Sequence, residues 1–193
     1  MKLPTLTTSL LIAGLTFGST AVIADDYVID TKGAHASIKF RVQHLGYSWL
    51  YGRFNEFGGT FSYDEKQPEK ASVAVTIKTS SVDSNHAERD KHLRSHDFLH
   101  VDKYPEAKFI STEYTQDSNG KGVLKGNLTL NGVTKPVKID VQFIGAGKDP
   151  WGGYRAGFEG TTSFAMADFG IMKDLGPKSK DVEMILSVEG IKQ

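Results

Sequence analysis

The stretch GVLKGNLTLNGVTKPVKIDVQFIG, residues 122–145, predicts the fold of this chain. Apolar residues occupy alternate positions in both of its halves: Leu124, Leu128, Leu130, Val137, Ile139, Val141 and Phe143. Alternation with a period of two is the pattern of a β-strand that buries one face. Asn131-Gly132 lies between the halves and is typical of a tight hairpin turn. The stretch therefore predicts two antiparallel strands with a common apolar face.

The same alternation recurs on both sides of this hairpin. Clear examples are AHASIKFRVQH (34–44), SVAVTIK (72–78), AKFISTEY (107–114), YRAGFEGTTSF (154–164) and DVEMILSVEG (181–190). A phase change between Phe54 and Phe57 predicts a β-bulge. About eight strands with short connections indicate an all-β, antiparallel fold, either a closed barrel or a sandwich.

Three glycines favour the eight-stranded barrel. Gly59, Gly126 and Gly160 fall in phase with the apolar residues of their strands, so each strand omits one side chain from its buried face. Such glycines either let strands bend at barrel corners or leave room inside. Both interpretations stay open, because a barrel of about eight strands is either just filled by side chains or holds one small ligand.

Residues 1–24 have the pattern of a secretory signal peptide. Lys2 precedes an apolar run from Leu10 to Phe17, and small residues lead to Ala24. Glycine, threonine and serine interrupt the stretch, so it lacks the roughly 20 consecutive apolar residues of a membrane anchor. We expect cleavage after Ala24 and a single domain over residues 25–193.

Composition narrows the function classes. The chain has no cysteine, which excludes disulfides, thiol nucleophiles and thiolate metal sites. It has 23 Lys+Arg and 23 Asp+Glu, and this balance gives no indication of a nucleic-acid partner.

One segment, NHAERDKHLRSHDFL (85–99), interrupts the strands and predicts a helix from about residue 86 to residue 95. Asn85 and Glu88 have capping-box spacing, and Asp90 and Arg94 have the spacing of an i,i+4 ion pair. The helix has few apolar residues, so we expect it to lie on the surface, held weakly, and to act as a gate whose amides a bound ligand protects.

Four histidines, His86, His92, His96 and His100, fall in or beside this segment. His92 and His96 have the i,i+4 spacing that can place two imidazoles on one metal, but the glutamate of HExxH is missing. A metal-dependent hydrolase is therefore one alternative, and a solvated connector is the other.

Several long blocks resemble the YceI-like family: FRVQHLGYSWLYGRF (40–54), SVDSNHAERDKHLRSHDFL (81–99), KYPEAKF (103–109), GNLTLNGVTKPV (126–137) and DPWGGYRAGFE (149–159). This resemblance covers essentially all of the chain after residue 24. It implies an eight-stranded, lipocalin-like barrel with one short helix in a connection, located in the periplasm. It further implies an elongated apolar cavity for a long-chain isoprenoid lipid, such as a polyprenyl quinone or polyprenyl phosphate, with no enzymatic activity. His96 and His100 lie outside the family motif, which weakens the metal hypothesis.

We therefore expect a protein that transports or sequesters this lipid, with no catalytic residue, metal or cofactor. The predicted wall residues are Phe40, Val42, Trp49, Phe54, Phe61, Val75, Phe98, Phe109, Leu128, Ile139 and Phe164. The predicted polar contacts near an opening are His44, Arg94 and Asp97. We expect no nucleic-acid partner and no stable membrane insertion, and the sequence leaves a homodimer open. A stress-induced structural barrel without a ligand is a further alternative, which the size of the cavity would distinguish.

Overall fold

A computed structural model describes residues 25–193, and the predicted signal peptide lies outside the described residues. The strands are β1 (Asp25–Ile29), β2 (Ser37–His44), β3 (Ser48–Phe54), β4 (Phe57–Tyr63), β5 (Ser72–Lys78), β6 (Val82–Asp83), β7 (Glu106–Gln116), β8 (Lys121–Leu130), β9 (Val133–Lys148), β10 (Tyr154–Ala165) and β11 (Asp181–Lys192). One α-helix, α1 (Ala87–Arg94), lies between β6 and β7. None of the helices in the described range has the length and apolar character needed to cross a membrane.

The strands form a closed antiparallel barrel with eight strand positions. The ring runs β1, β4, β5, β7, β8, β9, β10, β11 and closes where β1 pairs with β11. β1 pairs with the C-terminal part of β11, whereas β2 pairs with its N-terminal part. β2 also pairs with β3. The pairs β1 and β2, β3 and β4, and β5 and β6 thus each share one position. The predicted eight-stranded barrel with one helix is confirmed.

The hairpin of β8 and β9 has the predicted turn. Leu130 and Val133 face each other at the last step of the ladder. Asn131 and Gly132 between them both have positive φ, 50° and 75°. This is the backbone that a two-residue hairpin turn requires, which is why the sequence signal is specific.

Where a β-bulge was predicted, between Phe54 and Phe57, the structure instead has a break that separates β3 from β4. The N–H groups of Asn55 and Glu56 donate to the carbonyl and the hydroxyl of Ser81, at 3.1 Å and 3.0 Å. These two N–H groups bond to a turn and not to a neighbouring strand. The chain can therefore bend here, and β3 and β4 occupy successive parts of the same position in the barrel.

The two ends of the barrel differ. At one end, which we call the aromatic end, five rings pack together: Tyr27, Phe61, Tyr63, Phe143 and Phe158. The other end carries α1, the β2–β3 turn and the β8–β9 turn, and we call it the helix end. Tight aromatic packing fills the first end, whereas the second is covered by loops and a helix.

A cluster of charges holds the link between β1 and β2 against β10 and β11. The Arg155 guanidinium donates to Asp30, Asp149 and Glu189 at 2.5 to 2.9 Å, and His35 lies 2.9 Å from Asp30. Hydrogen bonds from Arg155, then His35 and the Gly33 N–H, hold the pKa of Asp30 well below the usual carboxyl range. Because Asp30 is buried, it depends on these partners for its charge.

The ends of α1 differ from the prediction. His86, not Asn85, is the N-cap, and its ring nitrogen accepts the Arg89 N–H at 3.2 Å. Asn85 instead has a left-handed backbone, φ 61°, and its N–H donates to Asp83. A histidine can cap because its unprotonated nitrogen is an acceptor, a role that the capping-box pattern does not include.

The predicted Asp90–Arg94 ion pair is wrong. Asp90 is buried and accepts the N–H and the hydroxyl of Ser84, whereas Arg94 donates to the carbonyls of Ser80 and Val82 at 2.7 Å and 2.6 Å. Both side chains therefore attach the helix to the segment before it. The helix is anchored by tertiary hydrogen bonds despite its small apolar content.

The three in-phase glycines play different roles. The Phe109 ring lies across Gly126, where a Cβ atom would collide with it, and Gly59 faces the backbone of Ala74 just as closely. Only Gly160 lines the interior space, beside Ile139. Room inside the barrel thus comes from one of these glycines, while another receives an aromatic ring.

Candidate functional site

An apolar cavity of about 430 Å³ occupies the barrel interior. Its wall includes Val182, Met184, Leu186 and Val188, which are alternate residues of β11. At about 3.3 Å per residue these span roughly 20 Å along the strand. The cavity is therefore elongated, running from the helix end towards the aromatic end.

Ten of the eleven predicted wall residues line this cavity: Phe40, Val42, Phe54, Phe61, Val75, Phe98, Phe109, Leu128, Ile139 and Phe164. They come from strands all around the barrel and from the segment after α1. Alternation alone placed most of them correctly, because residues of one parity face inward along each strand. Their contact with a ligand stays a prediction.

Trp49 does not lie on the wall. It points outward from β3, and the Arg41 guanidinium lies 4.1 Å from its ring centroid. Its neighbour Leu50 takes the inward position instead. Aromatic character alone suggested Trp49, but the strand register assigns it to the outer face.

Of the three predicted polar contacts, one lines the cavity and two do not. His44, at the end of β2, lines the cavity at the helix end, but Arg94 and Asp97 do not. Arg94 is turned towards backbone carbonyls, as described above. Asp97 lies on the surface, where hydrogen bonds from Lys173 and then His92 lower its pKa to about 2.

Sequence reasoning missed Arg89. Its Nε and Nη2 donate to Ser84, and the side chain lines the cavity at the helix end together with His92 and Leu93. No carboxylate of residues 25–193 lies within 4.0 Å of its guanidinium nitrogens. The spacing of residues 89, 92 and 93 was the available signal, since it places them on one helix face.

The segment after α1 contributes to the wall. Phe98 and Leu99 are buried, and both line the cavity. The N–H of Leu99 donates to the Leu93 carbonyl at 3.0 Å, which folds this segment back under the helix. A movement of α1 would therefore carry part of the cavity wall with it.

The four histidines around α1 have different local surroundings, and two of them lie beside Asp97. His86 caps the helix, His92 bonds to Asp97 at 3.0 Å, and His100 packs edge-on against Tyr104. His96 is exposed, 3.5 Å from the other oxygen of Asp97. Within residues 25–193 the only three-residue group with metal-ligand geometry is instead Asp30, His35 and Glu189.

That group lies away from the cavity and already holds a cation. Arg155 Nη1 is 2.7 Å from Asp30 and 2.5 Å from Glu189, so the guanidinium occupies the place that a metal would need. Within residues 25–193 the histidines of the α1 segment belong to no three-residue group with metal-ligand geometry.

Comparison with known proteins identifies the family. The YceI-like domain matches residues 27–190, nearly the whole described chain. The chain belongs to the YceI-like family. A UPF0312 protein of Shewanella sp. strain MR-7 is 59% identical over 183 residues, 95% of this chain and 96% of that protein. A UPF0312 protein of Pseudomonas aeruginosa strain LESB58 is 60% identical over 177 residues, 92% of each chain.

Solved structures share the architecture. The Campylobacter jejuni YCEI protein is 29% identical and superposes with a TM-score of 0.72, over 79% of this chain and 90% of that one. A polyisoprenoid binding domain from Saccharophagus degradans gives a TM-score of 0.64 at 14% identity, over 89% of this chain and 99% of that one. At that identity the second likeness concerns the fold.

Proposed function

We propose that this protein is a periplasmic carrier that binds and transports or sequesters a long-chain isoprenoid lipid. The observation that carries the proposal is the elongated apolar cavity of about 430 Å³. This volume falls in the range of ligand pockets, about 300 to 1,000 Å³. A structural barrel without a ligand would be expected to fill its interior with side chains.

The walls suit a branched hydrocarbon chain. Each buried methylene-sized group contributes about 0.8 kcal/mol, so a long chain gains affinity along its whole length without any polar contact. Branched and aromatic side chains both line the walls, for example Ile139 and Phe109. A long, narrow ligand matches a space that extends about 20 Å along β11.

The polar lining residues at the helix end would face a head group. Arg89, His44 and Gln43 line the cavity there, and the apolar tail would extend below them towards the aromatic end. The Arg89 guanidinium, which has no carboxylate partner among residues 25–193, supports an acceptor-rich head group, since guanidinium groups donate to phosphate or carbonyl oxygens. This arrangement suits a polyprenyl phosphate as well as a quinone.

The comparisons support a binding protein. The Saccharophagus degradans domain with this fold is described as polyisoprenoid binding. The proposal of a periplasmic location rests on the signal-peptide pattern of residues 1–24. The proposal of binding without catalysis rests on the apolar nature of the lining, which puts few groups with acid, base or nucleophilic chemistry in reach of a ligand.

Organic extraction and mass spectrometry of protein purified from its native host test the proposal. We expect one isoprenoid lipid in near-stoichiometric amount. Gly160→Leu, which adds an isobutyl group inside the cavity, should abolish copurification, whereas Thr161→Leu, one residue away on the outer face, should keep it. Lipid-free native protein, or equal lipid in a stably folded Gly160→Leu variant, would overturn the proposal.

A further inference from the structure

Several exposed apolar residues lie at the helix end of the barrel, next in sequence to residues that line the cavity. Tyr47 is 87% exposed, Met172 74% and Leu45 53%, and we call these three residues the rim patch. Tyr47 and Leu45 lie in the β2–β3 turn, and Met172 lies between Ile171 and Leu175, which both line the cavity. Large apolar side chains in such a position need an explanation, since exposed apolar patches mark interaction sites.

The two segments that form the rim are bonded to each other. The Leu45 N–H donates to the Ser179 hydroxyl at 3.4 Å, and that hydroxyl donates to the Gln43 carbonyl at 2.5 Å. Gln43 and Ser179 also line the cavity. The β2–β3 turn is therefore fastened to the segment before β11 at the cavity wall.

The outer face of β3 extends this surface with aromatic residues. Trp49 and Tyr51 follow Tyr47 at a period of two, and both are exposed. Tyrosine and tryptophan are enriched where proteins meet the interface between lipid and water, because each combines an apolar ring with a polar group.

The segment 172–180 at the helix end has more lysines than acids. The segment 172–180 carries Lys173, Lys178 and Lys180 but only one acid, Asp174. Lys173 pairs with Asp97, whereas Lys178 and Lys180 form no ion pair with any carboxylate of residues 25–193. Two available lysines beside exposed apolar side chains are complementary to anionic lipid head groups.

We propose that the rim patch, with Lys178 and Lys180, docks the protein on the surface of an anionic bilayer, and that the cavity opens at this helix end towards the lipid. This docking proposal rests on the proposed function, since docking would let an isoprenoid chain pass between bilayer and cavity without crossing water. The binding is peripheral and electrostatically assisted, so it weakens with salt. A second copy of this chain is the rival occupant.

Vesicle flotation with lipid-free protein tests the docking surface. We expect binding to phosphatidylcholine vesicles that contain phosphatidylglycerol to exceed binding to phosphatidylcholine alone by about fivefold. The double substitution Tyr47→Ser with Met172→Ser should reduce it about tenfold. Lys178→Gln with Lys180→Gln should remove the preference for anionic lipid.

Matched controls come from the barrel wall. Ile110 and Ile144 are exposed to a similar degree but lie on β7 and β9, so Ile110→Ser with Ile144→Ser should keep wild-type binding within about twofold. The proposal would be overturned if the rim and control variants lost vesicle binding equally, or if the wild type did not bind vesicles. A concentration-dependent dimer lost only in the rim variants, without vesicle binding, would assign the patch to a second copy and overturn it too.

The two tryptophans report the orientation. Trp151, 77% exposed, lies in the β9–β10 turn at the aromatic end, opposite to Trp49. In Trp151→Phe protein, Trp49 emission should shift to shorter wavelength with anionic vesicles, and in Trp49→Phe protein the Trp151 emission should stay constant. A shift of Trp151 alone would contradict the orientation. Because these assays use empty protein, they succeed or fail separately from the extraction test of isoprenoid binding.

Discussion

Arg155 of β10 donates a hydrogen bond of 2.7 Å to Asp30, which precedes it by 125 residues. Asp30 lies where the chain leaves β1, and Glu189 of β11 accepts from the same guanidinium nitrogen. This contact connects the first and last parts of the barrel at the point where the ring closes. Without Arg155, the buried Asp30 carboxylate would keep His35 and the Gly33 N–H but lose its bond to the guanidinium, so its charge would be less well compensated.

Arg155→Met should therefore lower the free energy of unfolding, measured by urea denaturation at neutral pH, because it removes hydrogen bonds to three carboxylates. Lys125→Met removes only the exposed ion pair with Glu113 and should change stability by less than about 0.5 kcal/mol. Similar losses in both variants would show that the buried cluster has no special role.

The same cluster predicts a pH dependence. Its hydrogen bonds lower the pKa of Asp30, so its contribution is complete above the unfolded carboxyl pKa of about 4 and is lost as pH falls towards the lower folded value. Wild-type stability should decline as pH falls below about 4, and this decline should be smaller in Arg155→Met. Parallel pH profiles of the urea midpoint would contradict this assignment.

The contact between the Phe109 ring and Gly126 leaves no room for a side chain at position 126. A methyl group at Gly126 would collide with the ring, so Gly126→Ala should destabilise by about 1 to 3 kcal/mol and push the ring towards the cavity. Gly58, in β4, has open space at the Cβ position. Gly58→Ala is the matched control, and its melting temperature should equal or exceed that of the wild type.

The helix α1 should exchange its amide hydrogens faster than the barrel strands, and a bound lipid should slow that exchange, because Phe98 and Leu99 line the cavity. Arg94→Met removes two bonds to backbone carbonyls and should raise exchange in α1 about tenfold or more. Lys91→Met, at an exposed position of the same helix, is the control. Equal protection of α1 with and without lipid would argue against gating.

Asp97 should titrate with a pKa of about 2, measured from its side-chain carboxyl carbon resonance by NMR. Hydrogen bonds from Lys173 and then His92 cause this shift, so Lys173→Met should raise the Asp97 pKa towards the ordinary value near 4. An unchanged pKa in that variant would assign the shift to His92 instead.

The sequence by itself determined the antiparallel strands, the β8–β9 hairpin and most of the side chains that face inward. Period-two alternation is a local property that fixes which side chains share a face, and Asn131-Gly132 is a local turn signal, so both can be predicted without distant contacts.

Only the tertiary structure decided which way Trp49, Arg89 and Arg94 point and what surrounds them. The Trp49 side chain points outward because of the register in which β3 pairs with β2. The Arg94 guanidinium faces away from the cavity because it donates hydrogen bonds to the carbonyls of Ser80 and Val82. The rim patch and the Arg155 cluster likewise join residues more than a hundred positions apart. Such arrangements follow from closing the barrel, which no local pattern encodes.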